Sequence, residues 1–149
     1  MKRIGHSFLI RAMFVLGFLL TLASVQAGEV EFDRHVVHYS VLNTTFLSPE
    51  VARAYDLRRS SSRGLVNVVI INRAGDMQSV PGVVSGHAVN LNQQLRPLRF
   101  RQVRDADAYY HLAEVRVRTG EVLEFRLRVS ADGESEVMPV TFSQAFYLR

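Results

Sequence analysis

Histidines are the first residues to weigh for chemistry, because an imidazole can ligate a metal or carry a proton near neutral pH. His35, His38, His87 and His111 lie downstream of the amino-terminal segment. His35 and His38 are spaced i, i+3. That spacing shares a face on a helix, whereas an odd separation on a strand sends the two rings to opposite faces. Residues 32–42 read as a strand, so the pair is split. A three-ligand site that mixes these histidines with Asp or Glu is the form a metal centre would take. Surface or hydrogen-bonded histidines are the plainer reading. The run Gly82-Val83-Val84-Ser85-Gly86-His87 resembles a Gly-x-Ser-x-Gly nucleophile turn only loosely. Its spacing is wrong and the strand-turn-helix context is missing. Its glycines read as turns or a bulge. The chain has no Cys, which removes thiol nucleophiles, disulfides and thiolate metal clusters. No motif calls for a cofactor, and no residue is assigned as catalytic or metal-ligating.

Two segments are better suited to binding. Arg58-Arg59-Ser60-Ser61-Ser62-Arg63 offers three guanidiniums and several hydroxyls, a set able to hold a carboxylate or phosphate. It also follows a helix C-terminus, where the dipole favours cations without any ligand. Asn43-Thr44-Thr45 matches the N-glycosylation pattern, but no sugar is expected there. Its side chains are expected to bond the backbone where a strand joins a helix. Phe46 is then the apolar residue packed ahead of the helix cap. The candidate binding residues are thus Asn43, Thr44, Thr45, Arg58, Arg59 and Arg63. Tyr109, Tyr110, Phe142, Phe146 and Tyr147 sit in strand patterns, where core or edge packing is the default. A carbohydrate-stacking platform is the alternative, weakened by the absence of Trp.

These residues must be positioned by strands. In Glu121–Val129, Leu123, Phe125, Leu127 and Val129 fall on one face and Glu124, Arg126 and Arg128 on the other. That period of two marks a half-buried strand. Residues 109–118 alternate likewise, and Thr119-Gly120 lies between, so 109–118 and 121–130 read as a β-hairpin with Glu/Arg neighbours on its outer face. Leu65–Arg73 is apolar on nearly every residue, the mark of a central strand covered on both sides. Further strands are expected over 32–42, 83–91, 97–104 and 136–148. Pro139 places the last at an edge or bulge. Ser48–Leu57 reads as a short helix, with Ser48 as cap, Pro49 at the first position and Glu50 on the dipole. Val51, Ala54 and Tyr55 would share its buried side. About seven strands and one short helix predict an all-β, antiparallel sandwich, immunoglobulin-like, without the Cys–Trp–Cys mark of true immunoglobulin domains. A small barrel is the alternative.

Residues 1–27 read as a leader. Lys2, Arg3 and Arg11 are followed by an apolar run over 12–23, then Ser24-Val25-Gln26-Ala27, which sets cleavage at Ala27/Gly28. The run is shorter than the roughly 20 apolar residues of a membrane span. The chain of 149 residues therefore divides into a signal peptide, 1–27, and one domain, 28–149. Its formal charge is +4, but the three basic residues of the leader leave with no acid, so the domain is close to neutral. A dense basic face for nucleic acid is not expected, nor is stable membrane insertion after cleavage.

The stretch Tyr39–Tyr55, with Asn43-Thr44-Thr45-Phe46-Leu47-Ser48-Pro49-Glu50 at its centre, then Arg59-Ser60 and Gly64-Leu65-Val66-Asn67-Val68, resembles a family of exported Gram-negative proteins of unknown function, number forty-four twenty-six. The resemblance covers residues 28–149. It implies a periplasmic β-rich domain and carries over no catalytic residues. The expectation is a periplasmic, non-catalytic binding or accessory module for an envelope protein or component. The alternatives are a small-molecule or metal-binding protein that uses His35, His38, His87 or His111, and an envelope hydrolase.

Overall fold

The computed structural model describes residues 26–147. Apart from Gln26 and Ala27, the expected leader lies outside these residues. Ten strands occur among them: β1 (Gln26–Glu31), β2 (His35–Asn43), β3 (Arg63–Asn72), β4 (Ser79–Val80), β5 (Gly82–Asn90), β6 (Leu95–Leu98), β7 (Arg101–Asp105), β8 (Ala108–Arg116), β9 (Glu121–Ala131) and β10 (Met138–Phe146). A single 3-10 turn (Thr44–Phe46) and one helix, α1 (Pro49–Ala54), separate β2 from β3. The strands form two antiparallel sheets, β1-β2-β3-β8-β7 with β4 on the end of β3, and β10-β9-β5-β6. The fold is an antiparallel β-sandwich.

Alternation decides which side chains fill the middle. Val66, Val68 and Ile70 of β3, Val37 and Val41 of β2, and Val115 of β8 meet Leu123, Phe125, Leu127 and Val129 of β9 and Val140 and Phe142 of β10. Phe125, Leu123, Val129, Val140 and Ile70 have no exposed surface. Each such side chain contributes about 1.5–3 kcal/mol by leaving water. Phe142 stacks between Tyr39 and Phe125, with centroids 4.0 and 5.0 Å away, so aromatic contacts cross from β2 into the second sheet. The central place of β3 accounts for its apolar run. Its inner residues face the second sheet, and Leu65 on the outer side joins Leu42, Leu112, Leu47 and Ala52 beneath α1.

The expected hairpin over 109–118 and 121–130 does not form. β8 pairs with β3 and β7, whereas β9 pairs with β5 and β10. Thr119-Gly120 carries the chain from one sheet to the other, and both alternating faces point into the same core. The Glu/Arg neighbours of the outer faces therefore belong to different sheets, and Arg126 pairs with Glu124 of its own strand. The strand expected over 97–104 breaks into β6 and β7 for the same reason, since these two also lie in different sheets. With β1 and β4 this raises the count from about seven to ten. Phe32, Asp33 and Arg34 fall in the β1–β2 turn rather than in β2.

Smaller corrections follow from packing. Leu47, not Phe46, is the buried residue ahead of the Ser48 cap, and Phe46 is 46% exposed. Ala52, Val51 and Tyr55 face the sheet while Ala54 is exposed. Gly82 and Gly86 mark neither turn nor bulge, because β5 keeps unbroken register with β9 from Gly82–Ala131 to Asn90–Leu123. Gly82 is instead a close approach: a Cβ there would lie 2.3 Å from the Ser130 carbonyl oxygen. Pro139 does sit on an edge strand, since β10 has β9 as its one neighbour in the sheet.

Candidate functional site

The two segments singled out for binding meet in space, and they hold each other. The Asn43 side-chain amide donates to the Ser61 carbonyl at 2.7 Å, while its Oδ1 accepts from the Thr45 N–H at 3.0 Å. Thr44 Oγ1 donates to the Ser60 carbonyl at 3.0 Å and accepts from the Ser60 N–H at 2.9 Å. Asn43 is 5% exposed and Thr44 fully buried. These bonds satisfy a strand end and a loop that would otherwise leave polar groups dry. Arg59 Nη2 donates to the Thr45 carbonyl, and Arg63 lies 3.9 Å from Glu114 Oε1. Around this latch Phe46, Arg58 and Arg59 are exposed, as is the Arg53 side chain on α1.

The histidines are dispersed. His35 points to the inner face at the start of β2 and is 2% exposed. His38 lies on the outer face, its Nδ1 3.3 Å from Glu29 Oε2, so the pair splits as the strand period requires. His87 sits on the outer face of the second sheet, opposite Arg126. His111 is buried between the sheets. Its Nδ1 faces the Val68 carbonyl at 3.2 Å, and its Nε2 faces the Gly82 carbonyl at 3.1 Å and Gln102 Oε1 at 3.2 Å. Three acceptors surround a ring that ties β8 to β3, β5 and β7. Ser85 is exposed on β5, and no hydrogen bond joins it to a histidine among the described residues.

One titratable group gathers at the end of the sandwich where the β1–β2 and β9–β10 turns lie side by side. His35 Nε2 is 3.7 Å from Glu134 Oε1, and single donor atoms of His35, Glu134 and Glu136 lie within 4.8 Å of one another. Arg34 Nη2 is 2.8 Å from Glu134 Oε2 and 3.9 Å from Glu136 Oε2. Sequence reasoning missed the two glutamates. The available signal was their i, i+2 spacing just past the Asp132-Gly133 turn, which sends both carboxylates to one side of an extended chain.

At the opposite end a second charged cluster ties the sheets together. Arg96 of β6 donates to Glu121 at the start of β9 through both terminal nitrogens, at 2.8 and 2.5 Å. Arg96 Nη1 also donates to the Arg116 carbonyl, and the Arg118 N–H donates to Glu121 at 3.1 Å. Burial by itself raises the Glu121 carboxyl. The Arg96 hydrogen bonds and charge, the Arg118 N–H and the Asn90 side chain outweigh it, and hold the group below its ordinary value of 4.5.

Among the described residues no helix is long and apolar enough to cross a membrane. No curated protein matches the chain. Solved structures do. FetP of uropathogenic Escherichia coli strain F11 has a similar fold at 13% identity. One structure, of a copper-bound variant, gives a TM-score of 0.54 over 80% of this chain and 94% of that one. Another, of the protein as isolated after expression in the periplasm, gives 0.53 over 83% and 95%. At that identity the likeness is one of fold. A protein of Pseudomonas aeruginosa PAO1 is more similar, at 33% identity and a TM-score of 0.72, over 83% of this chain and 96% of that one. That protein is of the DUF4426 family, whose profile, described as a domain of unknown function, matches residues 29–149 here, so the resemblance carried by the Asn43–Glu50 run extends over the whole sandwich and the chain belongs to the DUF4426 family.

Proposed function

We propose that the chain is an exported, non-catalytic binding module of the cell envelope. On this reading it docks an acidic protein or envelope component on the surface around the Thr44–Phe46 turn and the Arg58–Arg63 loop. The observation that carries the reading is the exposure of Phe46, Arg58 and Arg59 around a backbone that Asn43 and Thr44 lock from beneath. Aromatic and arginine side chains dominate the energetics of protein interfaces. A surface held rigid before contact loses less conformational freedom on binding. In this reading Asn43, Thr44, Thr45 and Arg63 shape the surface, while Phe46, Arg58 and Arg59 touch the partner. Export through the 1–27 leader, cleaved at Ala27/Gly28, puts the module in the periplasm. The fold shared with FetP, which was expressed in that compartment, supports the placement.

The test is capture from a periplasmic extract by the purified domain and by a Phe46→Ala/Arg58→Ala/Arg59→Ala variant, which keeps the Asn43 and Thr44 bonds of the latch and gives up only the Arg59 bond to the Thr45 carbonyl. Wild type is expected to retain an acidic partner in a salt-sensitive way, with retention at least tenfold lower for the variant. Equal retention by the two proteins removes this surface from the function.

A further inference from the structure

We propose that His35, Glu134 and Glu136 bind a divalent first-row transition-metal ion at the end of the sandwich. The first reason is the condition of His35. Its side chain is 3% exposed, yet Nδ1 has no hydrogen-bond partner. Nε2 is 3.7 Å from Glu134 Oε1, beyond hydrogen-bond reach. A buried imidazole with neither nitrogen hydrogen-bonded is rare, and an ion on Nε2, the nitrogen that faces Glu134, gives the ring a partner. The second reason is the spacing. Two donor atoms bound at about 2.1 Å to one tetrahedral ion sit about 3.4 Å apart. The His35–Glu134 separation is close to that. The 4.8 Å spread of all three donors closes through Glu136, whose side chain is 41% exposed and able to turn.

Charge argues in the same direction. Two carboxylates face one guanidinium, that of Arg34, whose side chain is 58% exposed and anchored only at its tip. A divalent ion displacing Arg34 neutralises both carboxylates, and Arg34 moves into water. The donor set of one imidazole nitrogen and two carboxylate oxygens suits Zn2+ or Cu2+. Soft Cu(I) selects sulfur ligands, and Ca2+ and Mg2+ select oxygen alone. Water completes the coordination, since the protein supplies three ligands. Arg34 thus acts as a resident counter-ion that sets how tightly the metal is held.

The experiment titrates Zn2+ alone into the tag-free domain against a chromogenic chelator, and Cu2+ alone for electron paramagnetic resonance. One ion per chain is expected. Zn2+ affinity should fall at least tenfold in Glu134→Gln/Glu136→Gln and in His35→Gln, rise several-fold in Arg34→Gln, and stay unchanged in His38→Ala. The Cu2+ spectrum should show coupling to one nitrogen that is lost in His35→Gln. Far-UV circular dichroism checks each fold. Should His35→Gln not fold, the glutamine double variant and Arg34→Gln carry the test, because those three side chains sit at the surface. Zn2+ binding that survives the double variant, binding that follows His38 instead, or no binding by either wild type or Arg34→Gln overturns the proposal.

Discussion

Replacing Glu121 tests how much a single ion pair between β6 and β9 steadies Arg96, whose Nη1 reaches the Arg116 carbonyl of β8 in the other sheet. In the Glu121→Ala variant the Arg96 guanidinium loses both of its carboxylate bonds, and the Arg118 N–H loses its acceptor. Breaking a buried pair from one side costs about 3–5 kcal/mol. Side-chain exposures of 19% at Arg96 and 11% at Glu121 let water relieve part of this. The expected cost is therefore about 3 kcal/mol, which lowers the melting temperature by roughly 10 °C for a domain of this size. Urea unfolding followed by far-UV circular dichroism or tyrosine fluorescence measures it, as the chain has no Trp. Removing both charges in Arg96→Met/Glu121→Leu should recover more than half of the loss, because no unpaired ion is left behind. The pH dependence has a definite sign. A carboxyl whose folded pKa is depressed adds stability that is present above its unfolded value and lost as pH falls through the folded value. The advantage of wild type over Glu121→Gln should be full near neutrality and shrink below pH 4.5, the group's ordinary value. A cost under about 1 kcal/mol, or an advantage that stays flat through the acid range, would refute the account of Glu121 as a half-buried anchor for Arg96.

Two further predictions follow. Trimming His111 to Ala opens a cavity and removes the ring that donates between the sheets; thermal melts should show a loss of about 2–4 kcal/mol, and a near-neutral result would mean that the ring is a passive filler. Asn43→Ala frees the Ser61 carbonyl and the Thr45 N–H, so stability should fall by about 1–2 kcal/mol. Trypsin should then cut at Arg58 or Arg59 much faster than in wild type, and unchanged cleavage would show that the loop is held by other contacts.

Alternation made the faces of the strands legible before any coordinates. Leu123, Phe125, Leu127 and Val129 face the core as their spacing requires, and the apolar run of β3 is central. Neighbours were not legible. Two alternating strands joined by Thr-Gly look the same whether they pair with each other or face each other across a core, because the period records burial and not hydrogen-bond partners. The Ser48 cap and the Asn43 turn were readable because their bonds reach only two or three residues, to Val51 and Thr45. The cluster around His35 was not, because Glu134 stands about a hundred positions away in the chain. Only the folded arrangement of two turns brings them together.

The passage of the chain from sheet to sheet at Thr119-Gly120 has a kinetic consequence. Because β8 and β9 part there, neither can form by zipping to the other. Arg63 must find Arg116, and Gly82 must find Ala131, across roughly fifty residues each. Loops of that length have to close before their contacts are rewarded, and topologies dominated by distant pairings fold in milliseconds to seconds. During that interval the apolar sides of both strands stand open to other chains. The yield of native chain on refolding should therefore fall as chain concentration rises.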